Sequence, residues 1–219
     1  MYSKNAVLWD LDGTVIDSTE CHYKTWALTL EKHGYSLSRE KFKAHYGKNT
    51  QTALPIYLGF EPDPNLAENI QQEKEELFRQ IMPKESRLVP GVISWLAAAD
   101  DAGFMQAIAS SASMKNITAM LKAHNLLGYF DLLVSGANLP AKPHPAVFLA
   151  AAEHLDQLPE NCIVIEDSVA GVEAAKNAGI TCVAVVTSHS KSQLKVADMV
   201  VDDFNIPFYK MLQDLGLDR

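Results

Sequence analysis

No run in these 219 residues approaches the roughly 20 consecutive apolar residues that a membrane-spanning helix requires. The opening MYSKNAVLWD carries one lysine and a short apolar stretch interrupted by Asp10, which fits neither a secretory signal nor a membrane anchor. Cysteine is scarce. Cys21, Cys162 and Cys182 make an odd count with no CxxC pair, which speaks against a disulfide framework and for a reduced, cytoplasmic setting. Cys162 and Cys182 sit in apolar runs and read as core residues; Cys21 falls on a helix and has no assigned role. Positive charge is short as well: 19 Lys and Arg against 27 Asp and Glu leave a net charge of −8. That balance excludes a general nucleic-acid or anionic-membrane surface, and an anionic ligand would need locally placed cations. Internal repeats and low-complexity tracts are absent. What is there, 47% hydrophobic and 21% charged, is ordinary globular composition in a chain long enough to bury a substantial core.

Short apolar runs read as buried strands at residues 6–9, 104–109, 131–135, 162–166, 181–186 and 198–201. Helix-like segments lie between them: VISWLAAADDAG, SMKNITAMLKAHN, PAVFLAAAEHL and SVAGVEAAKNAG. Near-continuous apolar strands alternating with helices indicate an α/β fold, a parallel sheet covered on both faces. The small residues of AGVEAAKNAG let its helix approach the sheet closely, and Gly179 stops it. Residues 17–87 break the pattern. They hold no convincing strand, and DSTECHYKTWALTLEKHG, SREKFKAHYG, NTQTALPIYLG and PNLAENIQQEKEELFRQIM look helical, the last highly charged and solvent-facing. The block ends near MPKESRLVPGV, punctuated by Pro83 and Pro90-Gly91. The expected organisation is a Rossmann-like α/β core, residues 1–16 and 88–219, interrupted by an inserted α-helical cap, residues 17–87. Trp9 reads as strand-end packing and Trp95 as a helix core residue.

The first strand ends on two acids, Asp10 and Asp12, in WDLDGT. In open parallel sheets ligands bind beyond the carboxyl ends of the strands. Two acids crowded there are costly unless a cation sits between them or one holds a proton. Gly13 allows a tight turn; a turn with an Asx cap is the plain alternative. The second core strand runs into Ser110-Ser111-Ala112-Ser113, where a hydroxyl and free N–H groups at a helix start make an anion site. Simple N-capping by Ser111 or Ser113 is the plain alternative there. Lys142, in AKPHPAVF, is held by flanking prolines between a strand end and a helix start. A later strand ends on Glu166 and Asp167, which could instead merely favour a helix dipole. Four acids, a hydroxyl cluster and a lysine at one sheet edge share one explanation. A hard cation such as Mg²⁺ accounts for the carboxylates, and a phosphate accounts for the serine, the helix start and the lysine.

DLDGT (10–14), SSAS (110–113), KPHPAVF (142–148) and IEDSVAGVEAAKNAGI (165–180) resemble, in order and spacing, the four motifs of the haloacid dehalogenase-like phosphohydrolase superfamily. With the helical insert, the resemblance covers essentially the whole chain. DSTECHYKTWALTL is similar to the start of the cap in the β-phosphoglucomutase-like subgroup of sugar phosphatases and hexose-phosphate mutases. There a Glu, a His and a Trp recur at the places held by Glu20, His22 and Trp26. The resemblance implies a Mg²⁺-dependent phosphoric monoester hydrolase in which Asp10 is the nucleophile that becomes an aspartyl phosphate. It makes Asp12 the acid/base, which also offers its backbone carbonyl to Mg²⁺. It makes Asp167 a direct Mg²⁺ ligand and Glu166 either a ligand or the partner of one. Ser111 and the N–H of Ala112, with Ser113 beside them, bind phosphate, and Lys142 bridges that phosphate and Asp10. The dehalogenase branch generally lacks the second Asp, so Asp12 argues against halide chemistry. The cap is expected to close over substrate about hinges near residues 16–18 and 86–90.

Substrate choice is expected to come from the cap. β-Phosphoglucomutases carry an arginine-containing cap loop that grips a second phosphate. The comparable AHYGKNTQTAL has Lys48 and no arginine. Lys48 offers a distal anion a point charge rather than a planar fork, or is an ordinary solvated lysine. His22 touches substrate, bridges core and cap, or is an ordinary histidine. One clear anion grip rather than two favours a phosphatase of small phosphorylated metabolites, sugar or polyol phosphates, over a hexose-phosphate mutase. A non-catalytic phosphometabolite-binding protein would need neither nucleophile nor acid/base, and phosphonate hydrolysis would need Lys48 as a Schiff base. The expected partner is a small-molecule phosphate ester; a monomer is expected, with a dimer as the alternative.

Overall fold

The apolar runs become strands because nearly all their side chains gain by burial, and the one polar side chain inside the run at 104–109, Gln106, is hydrogen-bonded there. The computed structural model describes residues 6–47 and 50–217. In chain order, β1 (Ala6–Trp9) leads through a tight turn to the two-residue β2 (Ile16–Asp17). Helices α1 (Thr19–Lys32), α2 (Arg39–His45), α3 (Thr50–Leu58) and α4 (Pro64–Glu85) follow, and β3 (Arg87–Leu88) pairs antiparallel with β2. Strands and helices then alternate: α5 (Val92–Asp101), β4 (Met105–Ser110), α6 (Met114–Ala123), β5 (Leu132–Ser135), α7 (Ala146–His154), β6 (Cys162–Glu166), α8 (Val169–Asn177), β7 (Thr181–Val185), β8 (Met199–Val201) and α9 (Phe208–Asp214).

One parallel sheet has the order β5-β4-β1-β6-β7-β8. The chain leaves β1 for β4 and β5 on one side, then crosses back to β6, β7 and β8 on the other. Strand order therefore reverses at β1, and the crevice outside its carboxyl end is where such sheets bind ligands.

Side-chain alternation feeds two faces. Ala6, Leu8, Ala107, Ala109, Cys162, Val164, Cys182 and Ala184 pack with Phe148, Ala151, Ala174 and Ala175 of α7 and α8. Small residues on both sides of that interface let these helices lie close to the sheet. On the opposite face Trp9 donates Nε1–H to Gln106 Oε1 at 3.1 Å, and Gln106 Nε2 donates to Leu96 O of α5 at 3.0 Å. Trp95 is buried, with Nε1–H on Ile206 O at 2.7 Å and its ring edge-on to Phe204 and Phe208. Both tryptophans thus pack as read from the sequence, with their polar edges satisfied. All three cysteines are buried and free.

By its internal contacts the chain divides into one compact unit made of the segments before Ser18 and after Ser86, and a second spanning Ser18–Ser86. The second unit has its own core of Trp26, Leu30, Leu37, Phe42, Leu54, Tyr57 and Ile70. Ser38 caps α2 by accepting from Lys41 N, and Asp63 caps α4 by accepting from the N–H groups of Asn65 and Leu66. Two expectations change here. Pro83 does not end α4, which continues to Glu85; so close to the helix end its missing N–H costs a single bond. The N–H and hydroxyl of Ser86 both close the last turn on Met82 O. The β2–β3 ribbon, with Asp17 opposite Arg87, is a strand pair too short to leave a pattern in the sequence. No helix among the described residues is long and apolar enough to cross a membrane.

Candidate active site

Asp10 follows β1 directly, and its N–H donates to Ile165 O of β6 at 2.9 Å, which keeps its backbone in register beyond the strand end. The chain then turns sharply: the Gly13 N–H reaches Ile16 O at 2.8 Å, and half-buried Asp12 bridges to Ile16. Gly13 has φ +88°, and a Cβ there would stand 2.2 Å from Asp167 Oδ2. Glycine is required twice over, by the backbone and by the approach of the second acidic loop. Thr14 Oγ1 donates to Asp167 Oδ1 at 3.2 Å.

β6 ends on buried Glu166, with Asp167 next. A Cβ on Gly171, in the first turn of α8, would lie 1.6 Å from Glu166 Oε1. The small residues of this helix therefore make room for a carboxylate as well as for the sheet. Lys142, in the loop between β5 and α7, reaches across from the other side of β1. Its Nζ donates to Asp10 Oδ1 at 2.5 Å and to Glu166 Oε1 at 2.7 Å, over the Phe148 ring, with the side chain 8% exposed. Asn177 Nδ2 pins the loop by donating to Pro143 O. Glu166 Oε2 accepts the N–H groups of Asp167 and Ser168, each at 2.7 Å. Both oxygens of Glu166 are thus engaged, one by the lysine and one by backbone.

Carboxylate oxygens of Asp10, Glu166 and Asp167 lie within 4.8 Å of one another. Burial pushes Asp10 well above the ordinary carboxylate range; the charge of Lys142 opposes this, and Glu166 and Asp167 add to it. Burial, then Glu166, raises Asp167 to about 7, against the pull of the Ser188, Thr187 and Thr14 hydroxyls. Burial works against the charge on Lys142, but Asp10 and Glu166 outweigh it and hold it above the ordinary lysine range, a permanent cation. Three buried carboxylates facing one ammonium leave two negative charges uncompensated when all are ionised. A hard divalent cation with oxygen ligands fits that donor set and that charge.

At the end of β4, Ser110 Oγ accepts the Ala112 N–H at 3.1 Å, and Ser135 Oγ donates to Ala112 O at 2.7 Å. A phosphoryl oxygen bound at Ala112 N–H must take that donor from Ser110. Ser113 is the N-cap of α6, accepting from Asn116 N at 3.4 Å, so the plain capping reading describes its hydroxyl. Ser111 lies half-buried between them.

The remaining candidates belong to the helical unit. His22 stacks on Phe78 with centroids 4.3 Å apart, and its Nδ1 is 3.3 Å from Lys74 Nζ. Glu20 is exposed and paired with Arg39 at 2.6 Å, and Trp26 is core. Lys48 lies outside the described residues. Lys74 was hidden by reading α4 as solvent-facing; it is 4% exposed, paired with Glu75 at 2.8 Å and set over the rings of Trp26 and Phe78. The signal lay in the spacing: Ile70, Lys74, Phe78 and Met82 form the buried stripe of α4, one residue per turn.

The chain matches the haloacid dehalogenase-like hydrolase family over residues 7–185. The phosphorylated carbohydrates phosphatase of Thermotoga maritima is 29% identical over 180 residues, 80% of this chain and 82% of that protein. The crystal structure of β-phosphoglucomutase from Clostridium difficile superposes with a TM-score of 0.87 at 24% identity, covering 97% of each chain, a likeness of fold alone. CbbY from Rhodobacter sphaeroides, solved with xylulose-(1,5)bisphosphate, has a TM-score of 0.84 at 27% identity and covers 94% of this chain and 96% of that one. The matched stretch runs from the first core strand to the end of β7 and takes in the loops that carry Asp10, Ser111, Lys142 and Asp167; the chain belongs to the haloacid dehalogenase-like hydrolase family.

Proposed function

We propose that the protein is a Mg²⁺-dependent phosphatase of small phosphorylated metabolites, sugar or polyol phosphates, acting through an aspartyl phosphate on Asp10. The observation that carries this reading is the position of Lys142, bonded at once to Asp10 and Glu166 beside the acid of Asp167. An anionic nucleophile approaches an anionic phosphate only where charge is neutralised, and this cluster holds one fixed cation and a donor set for another. The Thermotoga maritima relative, named for phosphorylated carbohydrates, supports the substrate class.

In the proposed reaction a carboxylate oxygen of Asp10 bonds to phosphorus as the bond to the leaving alcohol breaks. Asp12, protonated, gives its proton to that alcohol oxygen. Asp12 is then a carboxylate and takes a proton from water, whose oxygen bonds to phosphorus. The bond to Asp10 breaks, its electron pair returns to the carboxylate, and inorganic phosphate leaves. Lys142 keeps Asp10 oriented, and Glu166 holds Lys142. Ser111 and the N–H of Ala112 bind phosphoryl oxygens. Asp10, Asp167 and the Asp12 carbonyl are assigned to Mg²⁺, with Glu166 as their partner; the bound ion supplies charge neutralisation and Lewis acidity.

A hexose-phosphate mutase shares the first half of this scheme and the fold. A Mg²⁺-dependent screen of phosphate esters separates the readings, provided it includes β-glucose 1-phosphate with a catalytic amount of bisphosphate. Free phosphate released in step with ester consumed is the expected result. Glucose 6-phosphate formed with little free phosphate assigns a mutase, and inertness across the panel assigns a binding protein.

A further inference from the structure

The loop after β7 belongs to none of the four motifs, yet side chains in it reach Asp167. Thr187 Oγ1 lies 2.6 Å from Gly13 O and 3.1 Å from Asp167 Oδ2. His189 Nδ1 lies 3.2 Å from Asp167 O. β7 pairs with β6 and not with β1, so no backbone ladder joins this loop to the turn that carries Asp10 and Asp12. The Thr187 hydroxyl makes that connection through a side chain.

Its two contacts close a ring. The peptide whose carbonyl Thr187 holds is the one leading into Thr14, and Thr14 Oγ1 bonds the other oxygen of the same carboxylate, Asp167 Oδ1, at 3.2 Å. Two threonine hydroxyls thus bracket Asp167, one on each oxygen, and fix the rotation of its carboxylate plane. The single hydrogen of Thr187 is shared, with the shorter arm to Gly13 O, so the same hydroxyl also sets the tilt of the turn. We propose that Thr187 is a positioning residue for the divalent-cation site, orienting Asp167 and the Gly13 turn together. This rests on the Mg²⁺ reading above. Partners that orient a metal ligand are generally worth about 10–100-fold in metal affinity.

The test is calorimetric titration of Mg²⁺ into the whole, substrate-free protein for wild type, Thr187→Val and Thr187→Ser, with metal-free melting temperatures as the control for folding. Valine keeps the shape and removes the hydroxyl; serine keeps the hydroxyl. About 10-fold weaker Mg²⁺ binding is expected for Thr187→Val, with Thr187→Ser close to wild type. At saturating Mg²⁺ the KM for the ester should be unchanged. Equal Mg²⁺ affinity in wild type and Thr187→Val overturns the assignment, as does Thr187→Ser binding as weakly as Thr187→Val. Wild type that binds no Mg²⁺ overturns the cation reading itself along with this one. Where Thr187→Val fails to fold, Thr187→Ala decides by the same criteria.

Discussion

The charge of Asp167 is unwelcome in the metal-free protein, and stability should show it. Burial and Glu166 raise it from the ordinary 3.8 to about 7. Between those values the folded protein keeps a proton that the unfolded chain has lost. The contribution of Asp167 to metal-free stability therefore falls as pH rises through that window and levels above it. Asp10, also raised and facing Glu166 and Asp167, acts with the same sign, while Lys142 stays charged throughout. Mg²⁺ needs the ionised acid, so its stabilising effect grows over the same range. Melting temperatures in chelator and in Mg²⁺ at pH 5 and pH 8 check this; the gap between the two should widen with pH. The nucleophile has a sharper test. Asp10→Asn should lower kcat at least about 1,000-fold, and a normal burst of product would contradict the covalent scheme. Asp12→Asn should lose most activity and retain Mg²⁺ binding, because its assigned contact to the ion is a backbone carbonyl. Asp10, Asp12, Glu166 and Asp167 were legible as candidates because each sits where an apolar run stops, and Lys142 because prolines flank it before a helix start; both are local features. Thr187 was not, because a threonine in a loop says nothing of a carbonyl 174 positions away.

At the scale of the element, α8 joins packing to chemistry. A helix interior ordinarily gains about 1 kcal/mol when glycine becomes alanine. At Gly171 the added Cβ would coincide with the Glu166 carboxylate, which must then release Lys142 or the backbone N–H groups it holds. Gly171→Ala should therefore destabilise by about 1–3 kcal/mol and depress activity. Denaturant unfolding measures the first and phosphate release the second, and a more stable, fully active variant would refute the close approach. The sequence reading anticipated small residues here for the sheet and missed the carboxylate, since side-chain reach across a helix start is not a matter of periodicity. Ser113 illustrates the reverse: its proximity to Ser111 suggested a phosphate contact, and its hydroxyl caps α6. Lys74 shows composition misleading, for a helix with so many charges hid one of them on its apolar stripe.

At the scale of the whole molecule, two units carry separate cores. Trp26→Ala empties the centre of the helical one, where its ring meets Tyr57 edge-on at 5.3 Å, and should cost that unit about 3–5 kcal/mol. Hydrogen exchange should accelerate across residues 19–85 while the strands of the sheet keep their protection and Mg²⁺ affinity is unchanged. Loss of protection in both units together would show that they unfold as one. By itself the sequence determined the α/β class, the six core strands, the helical insert and the acids at the strand ends. Hydrophobic period and the abrupt end of an apolar run are properties of neighbouring residues. Only the tertiary structure decided the order of the strands, the reversal at β1 and the second bond of Lys142, to Glu166. It alone also decided the bracket of threonines around Asp167. Those depend on how the strands stack side by side, and that arrangement is set by the packing of the two sheet faces rather than by any one segment.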